Sequence, residues 1–101
     1  MIERLIGKEV LVRGDRSGVF VGVLKELEGT RVILNDCRRI WYWDGAASIS
    51  QIAMEGVSKP NLCKFPIKVK EIAIFDVIEI IQTTPEAIAS LDNVPIWSAK
   101  E

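Results

Sequence analysis

Histidine is absent from this chain, which removes the side chain most often used as general base, proton shuttle and zinc ligand. Cysteine is scarce: Cys37 and Cys63 stand far apart, without metal-type spacing. Neither a metal site nor a disulfide is expected, and both thiols read as free side chains in small apolar niches. A Gly-rich phosphate loop is missing, as is a nucleophile with a recognisable base. The carboxylates Glu55, Asp76 and Glu79 are scattered, with no spacing that pairs them for acid–base work. An enzyme is disfavoured on these grounds, and no cofactor is expected. An excess of either charge is missing too. A net charge of -1 speaks against a general nucleic-acid binder, although a small anion needs only a local basic pocket. No apolar run reaches membrane-spanning length, and Met1-Ile2-Glu3-Arg4-Leu5 lacks a signal peptide's apolar core. A cytoplasmic protein without membrane association is expected.

What remains is an ordinary globular balance: 101 residues, 49% hydrophobic and 27% charged. That is one domain over residues 1–101, with no internal repeat and no low-complexity segment. A chain of this size buries roughly two thirds of its unfolded surface, enough for a core. Val10-Leu11-Val12-Arg13 reads as a first strand, followed by a turn over 14–18 and a second strand from Val19 to Leu24. Gly29 supplies a hairpin turn, Arg31-Val32-Ile33-Leu34 returns, and Asn35-Asp36 kinks the path. A long extended region runs from Lys68 to Ile81. Its stretch from Ile72 to Ile81 is apolar on both faces, which predicts burial against a helix on one side and a second subunit on the other. Thr84-Pro85-Glu86 opens a short helix, and Val94-Pro95-Ile96-Trp97 adds a final extended piece. The fold class is α+β: an antiparallel sheet of about five to six strands with two short α-helices.

The chemistry concentrates in Cys37–Ser48. Arg38 and Arg39 are adjacent, and Trp41-Tyr42-Trp43 holds two of the three tryptophans and the one tyrosine. Guanidinium forks hold phosphate bidentately and tryptophan faces stack on nucleobases, so the pattern fits a nucleotide-like ligand. If residues 37–43 are extended, Arg39, Trp41 and Trp43 share one face, and Arg38, Ile40 and Tyr42 the other. Gly45-Ala46-Ala47 would let a backbone approach a ligand. Ser48-Ile49-Ser50-Gln51 fits a capping box that opens a helix to about Glu55, with Gly56 as its end. Phe20 and Gly22 could form a shelf for a ring. Plain alternatives stand beside these readings. Aromatic and branched residues favour strands without any ligand, Phe20 can be a core residue, and Asp36 or Asp44 could pair with the arginines. Lys64, Lys68 and Lys70 read as a solvated strand face.

The run from Arg38 to Gln51, with Ala53, Glu55-Gly56 and Cys63-Lys64-Phe65 after it, resembles a family of short phage and prophage proteins. These share an Arg-Arg-hydrophobic-Trp-Tyr-Trp-x-Gly-Ala core. Val12-Arg13, Ser17-Gly18-Val19-Phe20, Glu79-Ile80-Ile81 and Val94-Pro95-Ile96-Trp97 extend the resemblance over nearly the whole chain. The family looks like the Thoeris anti-defence sponges, which bind signals such as cyclic ADP-ribose isomers and so silence a bacterial immune pathway. Some members also take cyclic oligonucleotides at a second site.

The resemblance implies a protein that sequesters a cyclic nucleotide-type signal without cleaving it. Residue type, not the resemblance, supplies the expected contacts: Arg38 and Arg39 on phosphate; Trp41, Trp43 and Phe20 on the base; Ser48 and Gln51 at the helix start; Arg13 as an outlying candidate. A domain this small has little room for a buried cavity of roughly 300 Å³, so a homo-oligomer is expected, a dimer or a larger assembly such as a hexamer. Two other classes stay open: a phage protein-interaction or structural module, and an enzyme that degrades the signal.

Overall fold

The computed structural model describes residues 1–99. A single 3-10 turn over Ile2–Leu5 precedes strands β1 (Glu9–Gly14), β2 (Val19–Glu28) and β3 (Arg31–Arg39). Helix α1 (Ile49–Glu55) and a 3-10 turn at Pro60–Leu62 follow, then β4 (Val69–Ile74), β5 (Val77–Gln82) and helix α2 (Pro85–Asp92). The strands form one five-stranded sheet in the order β4-β3-β2-β1-β5, and every pairing is antiparallel. This is the α+β domain expected. Both helices start where local chemistry places them. Ser48 accepts a hydrogen bond from the Gln51 amide, and Thr84 accepts one from the Ala87 amide with Pro85 in the first turn. Gly56 ends α1 at φ 80°.

The long extended region from Lys68 to Ile81 is two strands, not one. Between β4 and β5 lie only Phe75 and Asp76, yet these strands occupy opposite edges of the sheet. In a flat sheet, four spacings of about 4.8 Å would separate the edges by about 19 Å. The step from Ile74 to Val77 reaches about 11 Å at most. The sheet must therefore roll until its edges approach at this corner.

Rolling accounts for two separate cores. Val10, Val12, Phe20, Leu24, Val32, Leu34, Cys37 and Ile74 pack inside the roll, joined by Leu5 from the first turn. On the outer face Leu11, Val21 and Ile40 meet Ile52, Ala53, Phe65, Leu91 and Val94 beneath the two helices. Past the break at the corner, Ile74 and Val77 join the inner core, Ile81 packs against the outer one, and Phe75 and Ile78 remain 66% and 54% exposed.

Two register shifts bend β2 and β3. Val21 pairs with Arg38 but Val23 with Asn35, so β3 carries one extra residue opposite Gly22. Asp36, at φ 50°, takes up that residue, which is the expected kink. A Cβ on Gly22 would sit 2.9 Å from the Asn35 carbonyl oxygen and 3.1 Å from the Cys37 Cα. Gly22 serves the close approach of two strands, and the shelf for a ligand ring expected there is occupied by backbone.

The corner is locked by Asp76. One carboxylate oxygen accepts from the Arg16 amide at 2.7 Å and the Ser17 amide at 2.9 Å, and the other accepts from the Ser17 hydroxyl at 2.6 Å. The Asp15 amide donates to the Asp76 carbonyl at 2.8 Å. These bonds, the Ser17 hydroxyl first and the Arg16 amide next, hold the Asp76 carboxyl below its ordinary value. A depressed folded-state value means stability that is present above the ordinary aspartate range and is lost as pH falls through the depressed value. Asp76→Asn should therefore lower the thermal midpoint at neutral pH and flatten its acid-side decline. Melting curves of both proteins from neutral to strongly acidic pH check this, and parallel curves would refute it.

Candidate functional site

The extra residue at Asp36 decides where each arginine goes. Val32 and Leu34 face the interior of the roll, and strict alternation would send Arg38 there and Arg39 outward. The bulge inverts that parity: Cys37 joins the inner core, Arg39 follows it, and Arg38 turns to the helical face.

Arg38 is 6% exposed. Its Nε donates to the Pro66 carbonyl at 3.3 Å. One terminal nitrogen donates to the Leu91 and Val94 carbonyls at 3.4 and 2.9 Å. The other donates to the Phe65 and Pro95 carbonyls at 3.0 and 3.3 Å. All five guanidinium donors are thus engaged, and the cation also lies 5.2 Å from the Phe65 ring centroid. Burial pushes its pKa down, opposed by the charge of Asp92. The donors that the sequence reading gave to phosphate are held here by backbone carbonyls, and Arg38 borders a recess of about 200 Å³ with Lys68, Asp92, Val94 and Ile96.

Arg39 is half-buried and differently placed. Its guanidinium lies 4.5 Å from the Phe20 ring centroid and donates to the Ser17 carbonyl at 2.8 Å. Among the described residues no carboxylate pairs with it. It borders a recess of about 140 Å³ lined with Phe20, Cys37, Pro66, Ile67 and Val69. Burial pushes the Cys37 thiol up to about 12, opposed by the charge of Arg39, so this thiol stays protonated.

Past Arg39 the expected alternation fails. The Trp41 and Tyr42 amides both donate to the Lys64 carbonyl, at 3.1 and 3.2 Å. Successive amides on one acceptor bend the chain, so Trp41 and Trp43 do not share a face. Trp43 turns inward against the outer core, and its indole donates to the Ala46 carbonyl at 3.2 Å. Trp41 turns outward, 63% exposed. Its ring stacks on Trp97 with centroids 6.2 Å apart and planes 16° apart. The Lys64 ammonium stands 5.6 Å from the Trp97 centroid and 5.8 Å from the Tyr42 centroid. An open recess of about 350 Å³ lies along Trp41, Tyr42 and Trp43.

Four of the expected positions have local duties in this structure. Ser48 caps α1, and Gln51 turns back to accept from the Ala47 amide at 2.7 Å while donating to Glu55 at 3.1 Å. Gly45, at φ 86°, is approached by the chain's own backbone: the Ser58 amide donates to its carbonyl at 3.0 Å, and a Cβ would meet the Lys59 nitrogen. Arg13 pairs with Glu79 at 3.3 Å on the β1–β5 border, two strands from Arg39. Neither Asp36 nor Asp44 forms an ion pair with either arginine among the described residues.

The arrangement therefore separates into two stations. One is an outward aromatic platform of Trp41, Tyr42 and Trp97 with Lys64 beside it. The other is Arg39 over Phe20 at an apolar recess. A flat π face with an ammonium alongside can take a heteroaromatic ring carrying an anionic group. Lys64 and Trp97 were missed as site residues. Lys64 read as part of a solvated strand face, and Trp97 as the end of a final extended piece. The signal for Lys64 was its place between two apolar neighbours: Cys63 and Phe65 are both buried in the outer core, which forces Lys64 outward.

A family model described as a domain of unknown function (DUF6948) matches residues 7–91. That span takes in all five strands and all of α2 but its last residue, and leaves Trp97 outside. Comparison with curated proteins gives no match.

The adjacent arginines should differ sharply on truncation. Arg38→Ala removes five hydrogen bonds at once and leaves the buried Val94 carbonyl without its Arg38 donor, at a cost on the order of 3–5 kcal/mol. Arg39→Ala loses one hydrogen bond and one partly solvated cation–π contact, about 1–2 kcal/mol. Chemical denaturation of the two variants measures both, and equal losses would contradict the division of roles.

Proposed function

This chain belongs to the DUF6948 family, and we propose that it is a non-enzymatic binding protein that sequesters a cyclic nucleotide-type signal, in the manner of the Thoeris anti-defence sponges it resembles. The observation that carries this reading is the exposed Trp41–Trp97 stack with the Lys64 ammonium at its edge. A purine ring would lie against the aromatic faces while Lys64 meets phosphate. Arg39, with no carboxylate partner among the described residues, adds a second anion contact. In this reading the protein works in the cytosol of an infected bacterium.

Magnitudes argue that one copy is not the whole site. Micromolar capture requires about 8 kcal/mol, and a stacked base contributes about 1–3 kcal/mol. An open surface excludes water from one side of a ligand only. A second subunit closing over the platform would supply the missing wall, and the exposed Ile67 and Ile96 near it provide apolar area for that contact. The homo-oligomer follows from this need. No helix among the described residues is long and apolar enough to cross a membrane.

The same exposed aromatic and aliphatic side chains favour a second reading, a protein-interaction module whose partner covers the platform. Thermal-shift titration against cyclic ADP-ribose isomers and cyclic di- and trinucleotides, with linear nucleotides as controls, separates the two. A sponge gains about 2.7 kcal/mol at a hundredfold excess of ligand over its dissociation constant. Trp41→Ala should weaken that binding about tenfold or more while leaving the fold intact. Intact ligand recovered from heat-denatured protein distinguishes sequestration from cleavage, and flat curves for every ligand would reject the sponge reading in favour of a protein partner.

A further inference from the structure

We infer that Arg38, buried and with every guanidinium donor on a backbone carbonyl, is the positioning residue of the aromatic platform and acts through the strap Val94–Trp97. The inference rests on the platform reading above and adds what sets the platform's geometry. Trp41 and Trp97 come from distant parts of the chain, and both are registered on one rail, Lys64-Phe65. The Trp41 and Tyr42 amides donate to the Lys64 carbonyl, and the Trp97 amide donates to the Phe65 carbonyl at 2.9 Å. Ile96 forms an isolated parallel bridge with Phe65.

Beyond these bonds to the rail and the Trp41 stack, the strap's end has little apolar contact. Val94 is 3% exposed and anchored in the outer core, but Ile96 and Trp97 are 60% and 44% exposed. Apolar burial cannot order those last residues, so hydrogen bonds must. Arg38 spans the junction between strap and rail: it grips Val94 and Pro95 on one side and Phe65 and Pro66 on the other. Its remaining bond ties the end of α2 at Leu91 to the same point. A helix C-terminus presents unpaired carbonyls and a partial negative charge, so the cation suits the place electrostatically as well. A planar fork with donors on three nitrogens can grip both sides together. A lysine ammonium has three donors at one point and cannot.

Arg38→Lys therefore tests position apart from charge. Two stacked indoles produce an exciton couplet in circular dichroism, and Trp97→Phe provides the reference without it. With the bulk fold retained, Arg38→Lys should lose most of the couplet. Exchange of the Trp97 amide should speed up about tenfold or more relative to β1 amides, as local opening without global unfolding requires. Affinity for cyclic ADP-ribose should fall alongside. A folded Arg38→Lys protein that keeps the full couplet and the Trp97 protection overturns the inference. Because couplet and exchange are read without ligand, failure of the wild type to bind cyclic ADP-ribose would count against the platform as that ligand's site and leave the Arg38 test intact.

A second measurement needs no substitution at Arg38. In the wild type the Trp97 amide and the Arg38 guanidinium protons should exchange together as denaturant is raised. A Trp97 amide that exchanges well ahead of them would detach the strap from Arg38 and overturn the inference.

Discussion

A single guanidinium joins the parts of this fold that have no regular pairing with one another. Arg38 leaves the sheet from β3, enters the helical layer and gathers carbonyls from the 65–66 segment, the end of α2 and the strap beyond it. A buried cation without a carboxylate is costly unless dipoles replace water around it. Here five carbonyls do so. The dependence is mutual: the Phe65 and Leu91 carbonyls also accept from the Trp97 and Val94 amides, but the Val94, Pro66 and Pro95 carbonyls would lose Arg38 as their partner.

That junction exists because of an irregularity one turn of the pleat earlier. The extra residue at Asp36 reverses which side chains of β3 face inward. One sheet thus sends neighbouring arginines to opposite faces, one to close the helical layer and the other to lie over Phe20. The roll enforces the arrangement. β4 and β5 must meet at the Phe75-Asp76 corner, and the bending this requires is taken up by register shifts in β2 and β3 and by another between Arg13 and Gly14. Gly14 has no room for a side chain against Ser17 and Asp76, so the turn and the corner lock fit only as a pair.

How much of this was legible in the sequence depends on the range of the interaction concerned. Caps at Ser48 and Thr84, the Gly29 turn and the first three strands rest on neighbours in sequence, and residue type alone indicates them. The break at Phe75-Asp76 does not. Ile72 to Ile81 alternates without interruption, and only the approach of the two sheet edges shows why the chain turns there. The arginines illustrate the same limit more sharply. Arg38 and Arg39 are the same residue type side by side, and what separates them is a parity set by strand pairing. Trp43 read as a stacking partner because the strand was extended past its end at Arg39, where two amides converge on Lys64.

The platform follows from the same geometry and from what the roll leaves over. A rolled sheet with one helical layer consumes its interior in two cores. On the sponge reading proposed above, a ligand of nucleotide size would be met outside, on side chains that the core does not claim. Trp41 is such a side chain, turned out where β3 ends, and it is useful only if a second flat group is held parallel to it. Trp97 meets that need from the far end of the chain, at a distance fixed by the Lys64-Phe65 rail. On that reading, an arginine whose donors are all held by backbone carbonyls would act on binding only through the rings it positions. Its loss removes the relation between two rings, whereas the loss of Arg39 removes a single charge.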